Sequence, residues 1–200
     1  MQFNFTKAVA TEVLFQFEPA NRRGTAAAAG APGYTERGAA ASSPALVVIN
    51  VSPIEYGHVL LVPSALSCLP QQIAAAPLLT ALHLAAETDS VYFRLGYNSL
   101  GAYASVNHLH FQGYYLYAPF PIERAPTGAV PSDLGRRRGR GGPSAHRTTA
   151  FPVRCLVFEL GLSMARLARC VAACCIAMQA ANLPFNLVIA DKGARVFLSA

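Results

Sequence analysis

Two short apolar segments joined by a tight turn constrain the fold of this chain most strongly. Residues 45–51 read ALVVINV and residues 58–62 read HVLLV, with Ser52-Pro53 and Gly57 between them. Apolar, β-branched runs of this length favour buried strands, and Pro and Gly mark the turn. Because such a short connection joins antiparallel neighbours rather than parallel ones, we expect an antiparallel sheet.

The rest of the chain adds further strands and two helices to this pair. Leu and Ala at helical spacing predict helices over residues 70–88 and 163–181. Runs of β-favouring residues predict strands over residues 2–18, 91–95, 105–117, 155–159, 185–190 and 195–198. Mostly strands with two helices, and no strand–helix repeat, predict an α+β fold in which helices pack on an antiparallel sheet.

Two compositionally biased segments interrupt this pattern. Residues 19–45 are rich in Ala, Gly, Pro and Ser, and residues 124–150 are rich in Pro, Gly and Arg. We interpret both as flexible insertions in a single domain that spans residues 1–200. They hold the basic excess behind the net charge of +6. For the arginines of residues 136–140 we favour a solvated linker over a phosphate-binding role, because no aromatic residues interleave with the basic ones.

Composition excludes several classes of protein. With 53% hydrophobic and 13% charged residues, the 200-residue chain can form a sizeable core. It has no run of 18 or more uncharged apolar residues, so we expect no membrane association. Its first residues lack a basic segment followed by an apolar run, so the expected location is the cytoplasm, with the nucleus also compatible. Five cysteines, an odd number, argue against a disulfide framework.

Residues 107–112 read NHLHFQ and carry the side chains most informative about chemistry. In a strand, alternate side chains share a face, so His108, His110 and Gln112 would project together. The residues between them would then pack on the core. From spacing alone, this row is compatible with a solvent-facing polar surface, a two-histidine metal site or a catalytic site.

A second motif narrows these alternatives. The turn and strand of residues 52–63 contain Gly57-His58-Val59-Leu60 and Val62-Pro63. Together with the later His-x-His segment, this motif resembles the histidine-triad superfamily, in which a histidine attacks the α-phosphorus of a nucleotide conjugate. Hydrolases of that superfamily usually carry a third histidine at the position of Gln112. The pattern His-x-His-x-Gln resembles instead its transferase branch, as in galactose-1-phosphate uridylyltransferase.

Longer stretches resemble one family within this branch, the GDP-L-galactose phosphorylases of plants and green algae. The similar segments are residues 3–7 (FNFTK), 48–58 (VINVSPIEYGH), 93–102 (FRLGYNSLGA), 107–112 (NHLHFQ) and 184–187 (PFNL). The GDP-D-glucose phosphorylases of animals are a related second family. Because members of the family extend beyond this sequence on both sides, we expect the chain to be a fragment of a longer protein.

The resemblance implies a nucleotidyltransferase that converts GDP-L-galactose and phosphate to L-galactose 1-phosphate and GDP, a committed step towards ascorbate. Its partners would be a GDP-hexose and inorganic phosphate, with no cofactor and no metal. The resemblance is also compatible with a homodimer, because superfamily members often pair through their sheets. The alternatives are a GDP-D-glucose phosphorylase, a catalytically silent nucleotide-binding module, and a protein that binds nucleic acid through its arginine-rich segment.

The resemblance also implies catalytic roles. His110 would be the nucleophile that carries the guanylyl group, and His108 would orient it. The Gln112 amide would donate hydrogen bonds to the non-bridging α-phosphate oxygens. His58 would support the site from behind these residues. We expect all three residues of the motif to line one pocket shaped for a pyrophosphate.

Three further residues lie where the superfamily contacts phosphate and ribose. These are Asn98, Ser99 and Ser105. Asn and Ser beside Gly96 and Gly101 also suit a tight turn without any role in binding. Both interpretations stay open at this stage.

Overall fold

The computed structural model describes residues 4–18, 43–130 and 141–200, and within them a single ten-stranded sheet with two α-helices. Helix α1 spans Ala75–Glu87 and helix α2 spans Met164–Ala180. The strands are β1 (Val13–Phe17), β2 (Ala45–Ile49), β3 (Val59–Val62), β4 (Phe93–Asn98), β5 (Phe111–Tyr115), β6 (Thr127–Ala129), β7 (Ser144–Thr148), β8 (Cys155–Glu159), β9 (Asn186–Ala190) and β10 (Arg195–Ser199). Neither helix of this described part is long and apolar enough to span a bilayer.

The strands follow the order β1-β2-β3-β5-β4-β9-β10-β8-β7-β6, and every neighbouring pair is antiparallel. Both helices pack on one face, where Leu82 and Leu167 meet buried strand residues such as Leu95 and Ile189. The opposite face, called the distal face below, carries two smaller clusters at its two ends. The α+β fold predicted from the sequence, an antiparallel sheet with packed helices, is confirmed.

Several predicted elements are present with shifted ends. The predicted first pair is β2 and β3, which are antiparallel with Leu46 opposite Val62. The strands predicted over residues 185–190 and 195–198 are β9 and β10, which form an antiparallel hairpin. The helix expected from residue 70 begins only at Ala75, and of the strand expected over residues 2–18 only β1 forms, preceded by two 3-10 turns.

The strand predicted over residues 105–117 is wrong in its first half, because β5 begins only at Phe111. Strand β3 pairs with β5 up to Leu61 opposite Phe111, and one residue later β3 ends before Pro63. Proline has no N–H to donate to a neighbouring strand, so the ladder cannot continue there. The preceding segment instead hydrogen-bonds to the connection after β3, with Leu109 N–H donating to Leu69 O at 2.8 Å.

The interpretation of residues 124–150 as a flexible insertion is wrong for two short segments. Strands β6 and β7 pair with each other, and β7 continues the sheet from β8. Packing explains this, because Ala145 lies opposite Phe158 and contacts the helix-side core. Strand propensity depends on such tertiary contacts more than on local composition. Residues 131–140 and 19–42 lie outside the described residues.

A buried ion pair anchors the connection between the two halves of the sheet. Arg94 of β4 donates from Nε and Nη2 to the Glu123 carboxylate at 3.0 and 2.9 Å. The two side chains are only 5% and 8% exposed. Glu123 also accepts the Phe120 N–H at 2.9 Å. Buried charges in this two-pronged geometry are costly to leave unpaired, so this contact holds residues 120–124 against the distal face.

We predict that Glu123→Gln lowers the free energy of unfolding by about 3 kcal/mol, because it leaves the Arg94 guanidinium buried without a counter-charge. The matched control is Lys192→Gln, which removes a similarly short but exposed ion pair with Asp89. That variant should lose no more than about 1 kcal/mol. Urea unfolding measures both, and equal losses would contradict the anchoring role of the buried pair.

Candidate active site

The two histidines of the motif lie on the distal face, just before β5. His108 and His110 are 1% and 6% exposed. Leu109 and Phe111, which alternate with them, belong to the core on the helix side. The Phe5 ring covers both imidazoles, with centroid distances of 5.4 and 5.1 Å. The alternation predicted for the histidines therefore holds although this segment is outside a regular strand.

One hydrogen bond determines which nitrogen of His110 can react. Its Nδ1 lies 2.8 Å from the carbonyl oxygen of His108. Because a carbonyl only accepts, Nδ1 carries the proton, and the neutral ring keeps its lone pair on Nε2. Within residues 4–18, 43–130 and 141–200, we find no hydrogen bond to that Nε2. Burial lowers the pKa of His110, and the bond to His108 only partly opposes this, so the neutral ring is favoured.

The His108 ring is held from the other side by the N-terminal segment. Its Nδ1 accepts the Phe5 N–H at 3.0 Å, which places the proton of the neutral ring on Nε2. The Ala65 backbone partly raises the pKa of His108. Among the described residues, no acceptor lies in hydrogen-bond geometry with the buried Nε2. Burial is the larger effect and lowers this pKa. The contact of His108 with its neighbour His110 is through the main-chain oxygen, not through the imidazole.

Gln112 lies on the same face, next to the histidines. It is opposite Leu60, which packs in the distal cluster that contains Phe5. Directly opposite residues of paired strands share a face, so Gln112 belongs to the distal face. Its side chain is half-buried, and Nε2 donates to Asn98 Oδ1 at 3.3 Å. The carboxamide is thus within the same row as His110, as the sequence pattern predicts.

His58 lies behind Gln112 at the turn before β3. The ring accepts the Ile54 N–H on Nδ1 at 3.0 Å, and the Asn50 amide nitrogen lies 2.9 Å from its Nε2. Burial lowers the pKa of His58, and an interaction with Gln112 partly raises it. These contacts are compatible with the supporting role expected for His58, since they fix the ring at the turn before β3.

The three residues expected to bind substrate are placed differently from one another. Asn98 contacts Gln112 directly. Ser99 is buried, and its hydroxyl accepts the Phe185 N–H at 2.8 Å, which matches the turn interpretation. Ser105 is exposed, away from regular structure. Of the three, the structure brings only Asn98 to the side chain of a motif residue, and the binding roles stay predictions.

Sequence reasoning missed Gln71, which is 2% exposed. Its side-chain amide hydrogen-bonds both main-chain groups of His110, accepting from N–H at 2.9 Å and donating to the carbonyl at 3.2 Å. The helix predicted over residues 70–88 is wrong at Gln71, which lies at a bend before α1, and this prediction concealed its contact with His110. No motif or spacing marks the residue.

Two pockets of the described part of the chain lie away from the motif, and the pocket expected beside the motif stays a prediction. One pocket lies between the end of β4 and the carboxyl end of α2, and another lies between β4 and the 3-10 turn Pro121–Arg124. Neither is lined by His108, His110 or Gln112. The Phe5 ring covers the two histidines, whereas Gln112 beside them is half-buried.

The arrangement has one antiparallel sheet, two helices on one face and a His-x-His-x-Gln row on the other. These features match the histidine-triad-like fold that the motifs predict. Solved structures agree on the fold. Yeast Ap4A phosphorylase Apa2 gives a TM-score of 0.52 at 18% identity, over 77% of this chain and 55% of that chain. A DUF4931 family protein of Bacillus cereus gives 0.56 at 8% identity, over 80% and 82%.

Sequence comparison identifies the family. The model for the GDPGP1-like N-terminal domain matches residues 1–114, and that for the GDPGP1-like C-terminal domain matches residues 121–200. The chain belongs to the GDPGP1-like family. GDP-L-galactose phosphorylase 1 of Arabidopsis thaliana is 48% identical over 197 residues, 98% of this chain and 42% of that protein. GDP-D-glucose phosphorylase 1 of Homo sapiens is 43% identical over 129 residues, 64% of this chain and 30% of that protein.

The resemblance inferred from the motifs is therefore confirmed. The chain spans less than half the length of these curated relatives.

We predict that the free energy of unfolding falls as the pH is lowered from 7 to 5.5. Burial lowers the pKa values of His58, His108 and His110 in the folded state, whereas unfolded histidines titrate near ~6.5. Below that pH the unfolded chain binds more protons, so stability falls, by up to about 1.4 kcal/mol per pH unit for each histidine. Urea unfolding across this range measures the slope.

The matched variant is His110→Gln, which removes one of the three histidines whose pKa is lowered by burial. Its stability should depend less steeply on pH than that of the unmodified chain. A stability that is flat between pH 7 and 5.5, or an unchanged slope in the variant, would contradict the buried neutral histidines.

Proposed function

We propose that this chain carries the nucleotidyl-transfer site of a GDP-hexose phosphorylase, which converts GDP-L-galactose and phosphate to L-galactose 1-phosphate and GDP. Membership of the GDPGP1-like family and the activities for which its relatives are named support this reaction. The observation that carries the proposal is the hydrogen bond from His110 Nδ1 to the His108 carbonyl. It leaves Nε2 of a neutral, buried imidazole as the nucleophilic atom.

In the first step, Nε2 of His110 attacks the α-phosphorus. The N–P bond forms while the bond from that phosphorus to the bridging oxygen breaks, and its electron pair leaves with the hexose 1-phosphate. The proton stays on Nδ1, where the His108 carbonyl accepts the hydrogen bond and stabilises the positive charge that develops on the ring.

In the second step, an oxygen of inorganic phosphate attacks the guanylyl group. The N–P bond breaks, the electron pair returns to Nε2, and GDP leaves. The Gln112 amide now donates from Nε2 to Asn98 Oδ1. When a non-bridging oxygen of the α-phosphate replaces Asn98 Oδ1 as the acceptor, the amide can stabilise the charge on that oxygen in both steps. Since Phe5 covers the histidines, the nucleotide approaches His110 from the side of Gln112 in this proposal.

GDP-L-galactose is the favoured substrate because of the extent of the similarity. The similarity to the Arabidopsis GDP-L-galactose phosphorylase covers 98% of this chain, whereas that to the human GDP-D-glucose phosphorylase covers 64%. Side-by-side turnover of the two GDP-hexoses distinguishes these alternatives.

We predict that the chain forms a labelled covalent adduct when it is incubated with guanine-labelled GDP-L-galactose in the absence of phosphate. His110→Ala should abolish the adduct, because the attacking nitrogen is lost. His146→Ala, which changes a half-buried histidine on β7, should retain it. Mass spectrometry of the denatured protein detects the guanylyl group. A label that survives His110→Ala would exclude His110 as the nucleophile.

We predict that Gln112→His shifts the balance from phosphorolysis towards hydrolysis. The carboxamide donates hydrogen bonds without offering an acidic proton, whereas an imidazole can shuttle protons to and from water. The ratio of GMP to GDP, measured by chromatography at saturating phosphate, reports the balance. An unchanged ratio would contradict the role given to Gln112.

A further inference from the structure

The main chain of His110 depends on Gln71 for its hydrogen bonds. Strands β4 and β5 pair from Phe93 opposite Tyr115 to Gly96 opposite Gln112. Continued at the same register, Asn98 would lie opposite His110. The ladder stops before that point, and the Gln71 amide lies between the two strands instead, donating to Asn98 O at 2.9 Å and to His110 O at 3.2 Å.

On its other side, His110 has no strand partner either. The β3–β5 ladder ends at Leu61 opposite Phe111. The N–H of His110 donates to Gln71 Oε1 at 2.9 Å, so one side-chain amide satisfies both main-chain groups of this buried residue. Leaving either group unpaired in the interior is costly, which makes this contact the main restraint on the position of His110.

Gln71 is itself held firmly in place. Its N–H donates to Asn107 Oδ1 at 2.9 Å, and its carbonyl accepts the Tyr97 hydroxyl at 2.9 Å. Tyr97 is fully buried in the helix-side core. A continuous series of hydrogen bonds therefore runs from that core through Gln71 to the backbone of His110.

We propose that Gln71 is a positioning residue for guanylyl transfer. Its amide holds the backbone of residue 110 out of the β ladder, where Nδ1 of His110 can reach the His108 carbonyl and Nε2 stays free. The kinetic part of this inference rests on the function proposed above. The structural part, that Gln71 selects the tautomer and place of the imidazole, can be tested separately.

A second glutamine provides a matched control. Gln179 makes the same two-bond contact with the backbone of Ile73, accepting from N–H at 2.6 Å and donating to the carbonyl at 3.3 Å. Gln71→Met and Gln179→Met thus remove the same kind of contact, and both should cost stability. Only the first changes the support of His110.

The first test is the single-turnover rate of guanylyl-enzyme formation, at a temperature where both variants are folded. Gln71→Met should slow this step by about 10- to 100-fold, as expected for a nucleophile displaced by a fraction of an ångström to 1 Å. Gln179→Met should keep the rate within about twofold of that of the unmodified chain. Equal rates in the two variants would overturn the proposal.

Gln71→Glu provides a second variant if Gln71→Met does not fold. A protonated carboxyl still donates and accepts, whereas a carboxylate would face two carbonyl oxygens. Burial raises the pKa of such a group, so this variant should recover the rate as the pH falls through that pKa. A rate that declines with falling pH as in the unmodified chain would contradict the role of the amide donor.

The tautomer of His110 can be measured by NMR independently of enzymatic activity. Two-bond ¹⁵N–¹H spectra of the imidazoles, assigned with His110→Ala, should show the Nδ1–H form in the unmodified chain and in Gln179→Met. Gln71→Met should instead show a mixture with the Nε2–H form. An unchanged Nδ1–H form in that variant would refute the positioning role. A normal spectrum with no guanylyl adduct in the unmodified chain would refute the proposed function instead.

Discussion

The hydrogen bond between the His110 ring and the His108 carbonyl is the interaction on which the candidate chemistry depends. A carbonyl in a β ladder points in the plane of the sheet towards the next strand, where it is not available to a side chain on the face. The motif must therefore leave the ladder before it can form this bond. Pro63 ends the partner strand on one side, and the Gln71 amide separates β4 from β5 on the other. The interruption of the strand is thus a requirement of the site rather than a defect of the sheet.

The burial of the histidines has a chemical consequence. Three imidazoles are buried on one face, and burial lowers the pKa of each. Neutral rings are the form in which histidine is nucleophilic, so the packing that includes Phe5 favours the reactive state at neutral pH. The same packing weakens the screening of charge that would appear on His110 during transfer. The His108 carbonyl then stabilises that charge more strongly than it would in water.

The sequence predicts the arrangement of the sheet well and its local interruptions poorly. Local apolar runs and the turn between them identify the β2–β3 pair, and local runs identify strands β9 and β10, because those patterns depend on neighbours in the chain. The start of β5 depends on Pro63, some fifty residues earlier, and so local β propensity extends the strand too far. Strand β7 forms by pairing with the free edge of β8, and β6 pairs with β7 in turn. No local sequence pattern indicates this pairing. The motif residues are visible in the sequence through their spacing. Gln71 is not, because a glutamine that binds backbone leaves no periodic signal.

The carboxamide of Gln112 suits the proposed reaction because neither of its steps needs a proton donor. The group displaced in the first step is a hexose 1-phosphate, and the group displaced in the second step is an imidazole. A phosphate monoester has a second pKa near ~6, so it leaves as a stable anion at neutral pH without an acid. The imidazole of His110 keeps its Nδ1 proton throughout, held by the His108 carbonyl. A third histidine at position 112 would add an acid–base group with no proton to transfer in phosphorolysis but a clear use in activating water. An amide that only donates hydrogen bonds is therefore the side chain that favours phosphate over water as the second nucleophile.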